Sequence, residues 1–194
     1  MVDIKKRLRD YIDDVSKCIH KSDFDILAKI VERLIQVKID GKTIFTIGNG
    51  GSASTASHFC NDLLKGCRVE GNEGFKAICL NDSNAIITCL ANDFSYKDIF
   101  SIQLKTFASK GDLLVAFSGS GNSPNIISAL QTAREIGIDT IGFSGRDGGK
   151  MKDLCDILLI APSFFMEKIE DMHLIYEHAM ISSIRDILAQ TLLP

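Results

Sequence analysis

The chain has 194 residues, 45% of them hydrophobic and 24% charged, and its formal net charge is −3. This length predicts a single domain over residues 1–194 with a sizeable core, and the mildly acidic charge argues against a nucleic-acid partner. Apolar stretches end well short of membrane-spanning length and the N-terminus lacks an apolar signal region, so we expect a cytoplasmic protein with no membrane partner.

Six cysteines are scattered along the chain without a Cys-x-x-Cys pair. This pattern fits reduced thiols buried as small hydrophobic side chains better than disulfides or a zinc knuckle. The residues concerned are Cys18, Cys60, Cys67, Cys79, Cys89 and Cys155.

Two amphipathic helices are predicted at the start of the chain, over residues 3–21 and 24–39, because apolar side chains recur there at helical spacing. Ser22 or Asp23 can cap the second helix. These leading helices, residues 1–40, either cover one face of a sheet or pack against a second subunit.

The segment from Thr43 to Asp62 combines a strand, a glycine-rich turn and a helix. The turn Gly48-Asn49-Gly50-Gly51 allows positive φ and close approach to a ligand, and Ser52 is predicted to cap a helix over residues 52–66. Free N–H groups at the start of this helix make a phosphate the expected ligand. The alternative is an ordinary strand-to-helix turn whose glycines serve geometry only.

A second loop, rich in hydroxyl groups, is predicted farther along the chain. Residues 112–117 form a largely apolar run, as expected for a strand buried on both faces, and Ser118, Ser120 and Ser123 follow it before a helix over residues 124–136. Such a group of hydroxyls suits one phosphate monoester, since ligands of open α/β sheets bind at the carboxyl ends of strands. The alternative is a serine-rich turn that only caps the helix.

The remaining elements complete an alternation of strands and helices. Strands separated by helices pair in parallel and carry helices on both faces. The sequence thus predicts an α/β fold, a three-layer αβα sandwich with a five-stranded parallel sheet, N-terminal helices and a long C-terminal helix. The further predicted strands cover residues 76–80, 139–143 and 156–160, and the further helices cover 84–91, 96–108 and 166–192, the last carrying Glu170, Asp171, His173, Glu177 and His178.

The first glycine turn also matches the looser dinucleotide-binding pattern, as Gly48-x-Gly50-x-x-Ala53. That pattern needs an acidic residue about twenty positions on, at the end of the next strand. Glu70 and Glu73 precede that strand and Asp82 comes too late, so a hydride-transfer enzyme is disfavoured. A nucleoside-triphosphate loop is disfavoured too, because no Gly-Lys-Ser/Thr follows either glycine cluster.

Three segments together resemble the sugar isomerase (SIS) fold and, within it, the phosphoheptose isomerases. They are Gly48 to Ser52 with His58, the loop Ser118-x-Ser120-Gly121-Asn122-Ser123, and Lys168 to His173. Asn92-Asp93-Phe94 and Gly145-x-Asp147-Gly148-Gly149-Lys150-Met151 are similar to the same family, and the resemblance runs from about residue 40 to the end of the chain.

The resemblance implies isomerisation of sedoheptulose 7-phosphate to D-glycero-D-manno-heptose 7-phosphate, which supplies nucleotide-activated heptose for lipopolysaccharide or capsule. It also implies a homotetramer with active sites at subunit interfaces, and one Zn²⁺ per site held through a His-Glu-Gln-His set. Carried over by position, the metal ligands are His58, Asp62, Glu170 and His178, and the substrate-binding residues are Asn49, Gly50, Gly51, Ser52, Asn92, Asp93, Ser118, Gly119, Ser120, Ser123 and Glu170.

Two of the four ligand positions depart from the family pattern, since Asp62 stands where the family has Glu and Glu170 stands where it has Gln. The shorter Asp62 side chain sets its carboxylate about 1.5 Å back, a misplacement that can cost about a hundredfold in rate. The added charge of Glu170 suits a divalent metal. We expect Asp62 or Glu170 to be the catalytic base, His178 its acid/base partner and His58 a metal ligand.

Helical geometry alone leaves the acidic partner of His178 open. Glu170 and His178 lie about 80° apart around the terminal helix, and Asp171 aligns with His178 better. His173 lies about 140° from His178 and is predicted to be structural or interfacial. Without the resemblance, a solvated helix face is the simpler interpretation of these charges.

Two other functions stay open. The altered Asp62 and Glu170 permit a non-catalytic SIS protein that binds a protein partner, although the retained histidines and carboxylates argue for a working site. Changes such as Gly119 and the Phe164-Phe165-Met166 segment permit an isomerase of another phosphorylated sugar.

Overall fold

The computed structural model describes residues 2–190, and its architecture is α/β, as predicted. A five-stranded sheet is formed by β1 Thr43–Ile47, β2 Lys76–Cys79, β3 Leu113–Ser118, β4 Asp139–Gly145 and β5 Ile157–Ala161. The strands lie in the order β2-β1-β3-β4-β5, and every neighbouring pair is parallel. The predicted parallel sheet is therefore confirmed.

Seven α-helices and three shorter helical turns surround the sheet within the described residues. The α-helices are α1 Ile4–Ile19, α2 Phe24–Ile39, α3 Gly51–Asn61, α4 Asn84–Asp93, α5 Ser101–Phe107, α6 Pro124–Ile136 and α7 Met166–Gln190. The shorter turns are a π-helix at Asp62–Gly66 and 3₁₀ turns at Tyr96–Asp98 and Gly149–Asp153.

Helices cover both faces of the sheet, which produces the three predicted layers. In β3, Val115 and Phe117 face a core shared with α2, α3 and α7, whereas Leu114 and Ala116 face a core shared with α5 and α6. Side chains alternate between the two faces along a strand, so a strand buried on both faces has an uninterrupted apolar sequence. This central strand ends at Ser118, which places the serine loop at the carboxyl edge of the sheet.

Ser52 does not cap α3, which corrects the sequence prediction. The helix begins one residue earlier, at Gly51, and the preceding Gly50 has φ of 56° and ψ of −125°. A side chain disfavours this backbone conformation, so a glycine rather than a capping hydroxyl defines the helix start. At α2, by contrast, Asp23 is the cap, since its Oδ1 accepts a hydrogen bond from Ile26 N at 3.0 Å.

The predicted helix over residues 96–108 is divided into two pieces. A 3₁₀ turn at Tyr96–Asp98 is followed by α5, and the buried Ile99 and Phe100 between them fill the core. The predicted end of the terminal helix at residue 192 lies outside the described residues.

The helix predicted over residues 52–66 changes to a π-helix at Asp62. The Cys67 N–H bonds to the carbonyl of Asp62, and the carbonyl of Leu63 accepts a hydrogen bond from Phe75 N, both at 3.0 Å. Gly74 permits this contact, because a Cβ there would lie 1.9 Å from the carbonyl oxygen of Leu64. Such π turns often mark functional sites, and this one begins at a predicted metal ligand.

No helix among residues 2–190 is long and apolar enough to cross a membrane. All six cysteines are free thiols. Cys60, Cys67 and Cys79 are buried as predicted, whereas Cys89 is exposed. Burial raises the pKa of the Cys67 thiol to about 12, which keeps that thiol protonated and inert.

Candidate active site

Four ligating side chains converge between α3 and α7. They are His58, Asp62, Glu177 and His178, and their ligand atoms all lie within 4.8 Å of one another. The Nε2 atoms of His58 and His178 are 3.1 Å apart. His58 Nε2 also lies 3.6 Å from Asp62 Oδ2 and 3.8 Å from Glu177 Oε1. His58 is therefore the central residue of the cluster. His58 and Asp62 come from α3 and the turn that follows it, and Glu177 and His178 come from α7.

Glu177 is the least expected member of this cluster. Its side chain is fully buried, and neither carboxylate oxygen has a hydrogen-bond partner. Burial, and secondarily the negative charge of Asp62, raise the pKa of Glu177 to about 8. A buried carboxylate without donors is costly, so this arrangement needs a cation or a proton to balance it. Two imidazoles and two carboxylates are a donor set that Zn²⁺ accepts, and the residues therefore fit a metal ion.

Glu170, predicted as a metal ligand, lies outside the cluster. It is eight residues from His178 on α7, which corresponds to about 12 Å along the helix axis. Its carboxylate instead approaches the first turn of α3, since a Cβ on Gly51 would lie 2.4 Å from Glu170 Oε2. There the negative charge meets the positive end of the helix dipole. The structure thus places Glu177, not Glu170, beside the two histidines.

Asp171, the competing candidate, also lies away from the cluster, because its Oδ2 accepts a hydrogen bond from the Tyr11 hydroxyl at 2.5 Å. One sequence signal did point to Glu177. It interrupts the buried, otherwise largely apolar stripe of α7 that includes Met172, Tyr176 and Met180. A lone carboxylate within such a stripe indicates a partner of opposite charge.

A cavity of about 240 Å³ lies between α3 and α7 and reaches from Gly51 at the start of α3 to His58 of the cluster. Its α3 side is one helix face with the spacing i, i+3, i+4, i+7, which is formed by Gly51, Ser54, Thr55 and His58. Its α7 side is formed by Glu170, Asp171 and Leu174. Gly51 and Glu170 mark one end of this space and His58 the other, so α3 and α7 run in the same direction along it.

The serine loop follows β3 and brings two of its three hydroxyls together. Ser118 Oγ and Ser123 Oγ are 3.2 Å apart, whereas Ser120 Oγ accepts a local hydrogen bond from Asn122 N at 3.2 Å. Gly119 is closely covered, because a Cβ there would lie 2.4 Å from Met166 Sδ. A side chain at position 119 would therefore have to displace the Met166 side chain that covers the loop.

The glycine loop lies beside the serine loop, because β1 and β3 are neighbours in the sheet. Asn81 holds its first residue, donating from Nδ2 to Gly48 O at 2.8 Å and accepting from Gly48 N at 3.0 Å. The Asn49 side chain pairs with that of Asn125 at the start of α6. Ser52 is buried in the first turn of α3. The structure thus brings together the two loops predicted to bind phosphate.

Asn92 and Asp93 lie at the end of α4 and contact each other. Asn92 Nδ2 donates to Asp93 Oδ1 at 2.8 Å, and this bond is the main cause that lowers the pKa of Asp93. Both side chains are exposed. A few residues on, the Tyr96 hydroxyl donates to Asn49 Oδ1 at 2.9 Å, so this segment reaches the glycine loop through a residue that the sequence analysis missed.

Comparison with known proteins identifies the family. The SIS domain matches residues 9–145 of the chain. The phosphoheptose isomerase of Aliarcobacter butzleri is 40% identical over 167 residues, which are 80% of this chain and 88% of that protein. The phosphoheptose isomerase of Clostridium acetobutylicum is 36% identical over 176 residues, which are 90% of this chain and 89% of that protein.

Solved structures agree with the sequence relatives. The phosphoheptose isomerase of Neisseria gonorrhoeae has a TM-score of 0.87 at 29% identity, covering 94% of this chain and 99% of that one. The phosphoheptose isomerase of Francisella tularensis has a TM-score of 0.89 at 25% identity, covering 96% of this chain and 100% of that one. The chain therefore belongs to the SIS-domain proteins and, among them, to the phosphoheptose isomerase family.

Proposed function

We propose that this protein is a ketose–aldose isomerase that converts sedoheptulose 7-phosphate to D-glycero-D-manno-heptose 7-phosphate. Its product would feed nucleotide-activated heptose for lipopolysaccharide or capsule. Family membership supports the reaction, and the observation that carries it is the cluster of His58, Asp62, Glu177 and His178 beside a cavity. That cavity begins at Gly51, where α3 leaves the glycine loop, so ligating groups and anion-binding groups face one space.

The phosphate group is assigned to the two loops at the carboxyl edge of the sheet. Hydroxyls of Ser118, Ser120 and Ser123 donate to its oxygens, and the backbone of Gly50, Gly51 and Ser52 presents the N-terminus of α3. Free N–H groups and the helix dipole both favour an anion there. Gly119, Asn92 and Asp93 complete the proposed substrate-binding set, and Asn49 contributes to it by holding the glycine loop through its hydrogen bonds to Asn125 and Tyr96.

Isomerisation moves a proton between neighbouring carbons while the carbonyl shifts in the opposite direction. We assign Asp62 as the base that takes the proton next to the carbonyl and His178 as the group that serves the adjacent oxygen. Both side chains lie in the cluster next to His58, which lines the cavity. Glu170 lies at the far end of that cavity and is assigned to the sugar hydroxyls nearer the phosphate.

A zinc ion is part of the proposal, and His58, Asp62, Glu177 and His178 would hold it. When bound, the metal supplies a positive charge that polarises the sugar carbonyl and stabilises the developing enediolate. The buried oxygens of Glu177 support this assignment, because neither accepts a hydrogen bond from any of the described residues. Glu177 thus takes the place that the family pattern gave to Glu170.

We infer that the protein assembles as a homotetramer with active sites at subunit interfaces. Support comes from α1, where Ile4, Leu8 and Ile12 are 69%, 62% and 66% exposed. A cavity of about 370 Å³ between α1 and α7 shares Asp171 and Leu174 with the active-site cavity. A subunit seated on this apolar surface would therefore reach the edge of the site.

A cytoplasmic location and a single SIS domain over residues 1–194 complete the proposal. Six free thiols support the location, because reducing compartments keep cysteines in that form. The match of the SIS domain to residues 9–145 supports the domain assignment, with α1 and α2 as leading helices.

The test is to strip the purified protein of metal, add back zinc, and incubate it with sedoheptulose 7-phosphate. We expect the aldose phosphate to form in the zinc-loaded sample and its rate to fall in the stripped one. A His58→Ala variant serves as the matched inactive control. Folded, zinc-loaded protein that forms no aldose would instead favour a non-catalytic SIS protein, and turnover of a different sugar phosphate would correct the substrate.

A further inference from the structure

The two phosphate loops are joined by a reciprocal pair of side-chain amides. Asn49 Nδ2 donates to Asn125 Oδ1 at 2.8 Å, and Asn125 Nδ2 donates to Asn49 Oδ1 at 2.8 Å. Asn49 lies in the glycine loop, and Asn125 is the second residue of α6, directly after the serine loop and Pro124. Asn125 is 1% exposed, so the pair is shielded from water on the α6 side.

Backbone hydrogen bonding fixes the orientation of this pair. The N–H of Ile126 can only donate, and it donates to Asn125 Oδ1 at 3.0 Å. Asn125 Nδ2 must therefore face Asn49 Oδ1, which also accepts from the Tyr96 hydroxyl at 2.9 Å. Both acceptor sites of the Asn49 oxygen are thus occupied within the protein. That oxygen has no capacity left for a sugar hydroxyl, and its role is to hold the loop.

The glycine loop is held in the same way on its other side. Asn81, which follows β2, donates to Gly48 O and accepts from Gly48 N. Since β1 lies between β2 and β3, its loop is fixed from both neighbours by amide side chains. Among the hydrogen bonds within residues 2–190, however, only the Asn49–Asn125 pair joins the glycine loop to the segment that follows Ser118 and Ser123.

We propose that Asn125 is a positioning residue that fixes the spacing between the serine hydroxyls and the N-terminus of α3, so that both bind the same phosphate group. This inference rests on the proposed function only for the identity of the sugar attached to that phosphate. Two loops held at the correct spacing bind an anion without first losing conformational freedom, which strengthens binding. Loss of the amide pair leaves the serine hydroxyls and the N–H groups of α3 present, but it frees the two loops to move apart.

The pair can be tested by a double-mutant cycle with inorganic phosphate as the ligand, measured by titration calorimetry. The variants are Asn125→Ala, Asn49→Ala and the double variant, with the exposed Asn84→Ala as the matched control. We expect each single change to weaken phosphate binding about tenfold or more, and the double change to add less than about twofold. Asn84→Ala should bind phosphate like the parent.

Several readouts separate positioning from a general loss of structure. Zinc content and the circular dichroism spectrum should match the parent, because the metal cluster lies at the other end of α3. For a sugar phosphate that the parent protein isomerises, the KM of the Asn125→Ala variant should rise by a larger factor than its kcat falls. If Asn125→Ala fails to fold, Asn49→Ala breaks the same pair from the more exposed side and carries the same expectation.

The inference would be overturned by unchanged phosphate affinity in a folded Asn125→Ala protein, by additive effects in the double variant, or by a parent that binds no phosphate. Failure of the proposed function looks different. In that case no heptose phosphate is turned over, while phosphate binding still depends on Asn125 as described.

Discussion

Glu177 and Glu170 show how two carboxylates on one helix acquire different roles. Glu177 is fully buried beside His58, and neither of its oxygens has a hydrogen-bond partner. Glu170 is partly exposed and lies against the first turn of α3. Seven residues advance about 10.5 Å along a helix, so Glu170 lies at one end of the cavity and Glu177 lies buried near His58, which lines the other end. The ends differ in chemistry, with ligating side chains at one and anion-binding backbone at the other.

The first prediction separates these two roles by a matched pair of isosteric changes. Glu177→Gln should lower zinc affinity by more than about 10-fold to 100-fold, the range typical of outer-shell partners, because it removes a charged ligand. Glu170→Gln should keep the parent zinc content and lose activity through weaker binding of the sugar. Metal content after dialysis against a zinc buffer measures the first effect, and KM measures the second. If Glu170→Gln loses zinc and Glu177→Gln does not, Glu170 rather than Glu177 is the metal ligand.

His173 is a second buried ionisable residue, and its role differs from that of the cluster. Its Nε2 donates a hydrogen bond to the carbonyl of Ser144 at 3.0 Å, and its ring packs against Phe117 and Phe143. Burial lowers the pKa of His173 from 6.5 to about 4. The ring is therefore neutral in the folded protein at neutral pH and supports the end of β4, which is the structural one of the two roles, structural or interfacial, that the sequence left open.

The second prediction follows from this pKa. Between pH 4 and pH 6.5 the unfolded chain binds a proton on His173 that the folded protein does not, so stability is full above pH 6.5 and falls as the pH is lowered. The total effect is on the order of 3 kcal/mol. Urea unfolding at pH 7 and pH 5 should show a smaller difference in a His173→Gln variant than in the parent. Equal differences would mean that His173 does not carry this dependence.

At the scale of elements, a sequence prediction agrees with the structure where neighbouring residues determine the feature, and it fails where distant contacts determine it. The bounds of α6 match the prediction because local residues define both ends, Pro124 in the first turn and Gly137 with φ of 79° at the end. The π turn at Asp62 was not predictable, because it depends on a hydrogen bond from the distant Phe75 to Leu63. The placement of Glu177 was missed for the same reason, since it depends on how α7 packs against α3.

The third prediction tests the π turn through two glycines. Gly74→Ala should displace the turn and weaken zinc binding, since the new Cβ would lie 1.9 Å from the carbonyl oxygen of Leu64. Gly66→Ala is the control within the same turn, because its Cβ would make only ordinary contacts at 3.4 Å with Asp62. Zinc titration of both variants compares them. Equal zinc affinity in the two would show that the geometry of the turn does not position Asp62.

At the scale of the whole molecule, α1 is attached to the rest of the chain on one side only. Its Tyr11 hydroxyl bonds to Asp171, and Asp14 forms an ion pair with Lys168 at 3.1 Å. Leu8 and Ile12 remain largely exposed beside the cavity that α1 forms with α7. An amphipathic helix whose apolar side chains are left in water indicates a missing partner surface. Since that surface adjoins the active-site cavity, assembly and catalysis are expected to depend on each other.

The last prediction uses this dependence. Ile12→Glu should dissociate the proposed tetramer, because burying one isoleucine contributes about 1.5–3 kcal/mol and symmetry repeats the change in every subunit. Arg9→Gln changes the net charge by the same amount at an exposed position of α1 and should leave assembly intact. Sedimentation at micromolar protein measures the assembly, and isomerase activity should fall together with it while each dissociated subunit keeps its helical circular dichroism. A parent protein that sediments as a monomer would remove the proposed interface, and an Ile12→Glu monomer with full activity would show that the site is complete within one chain.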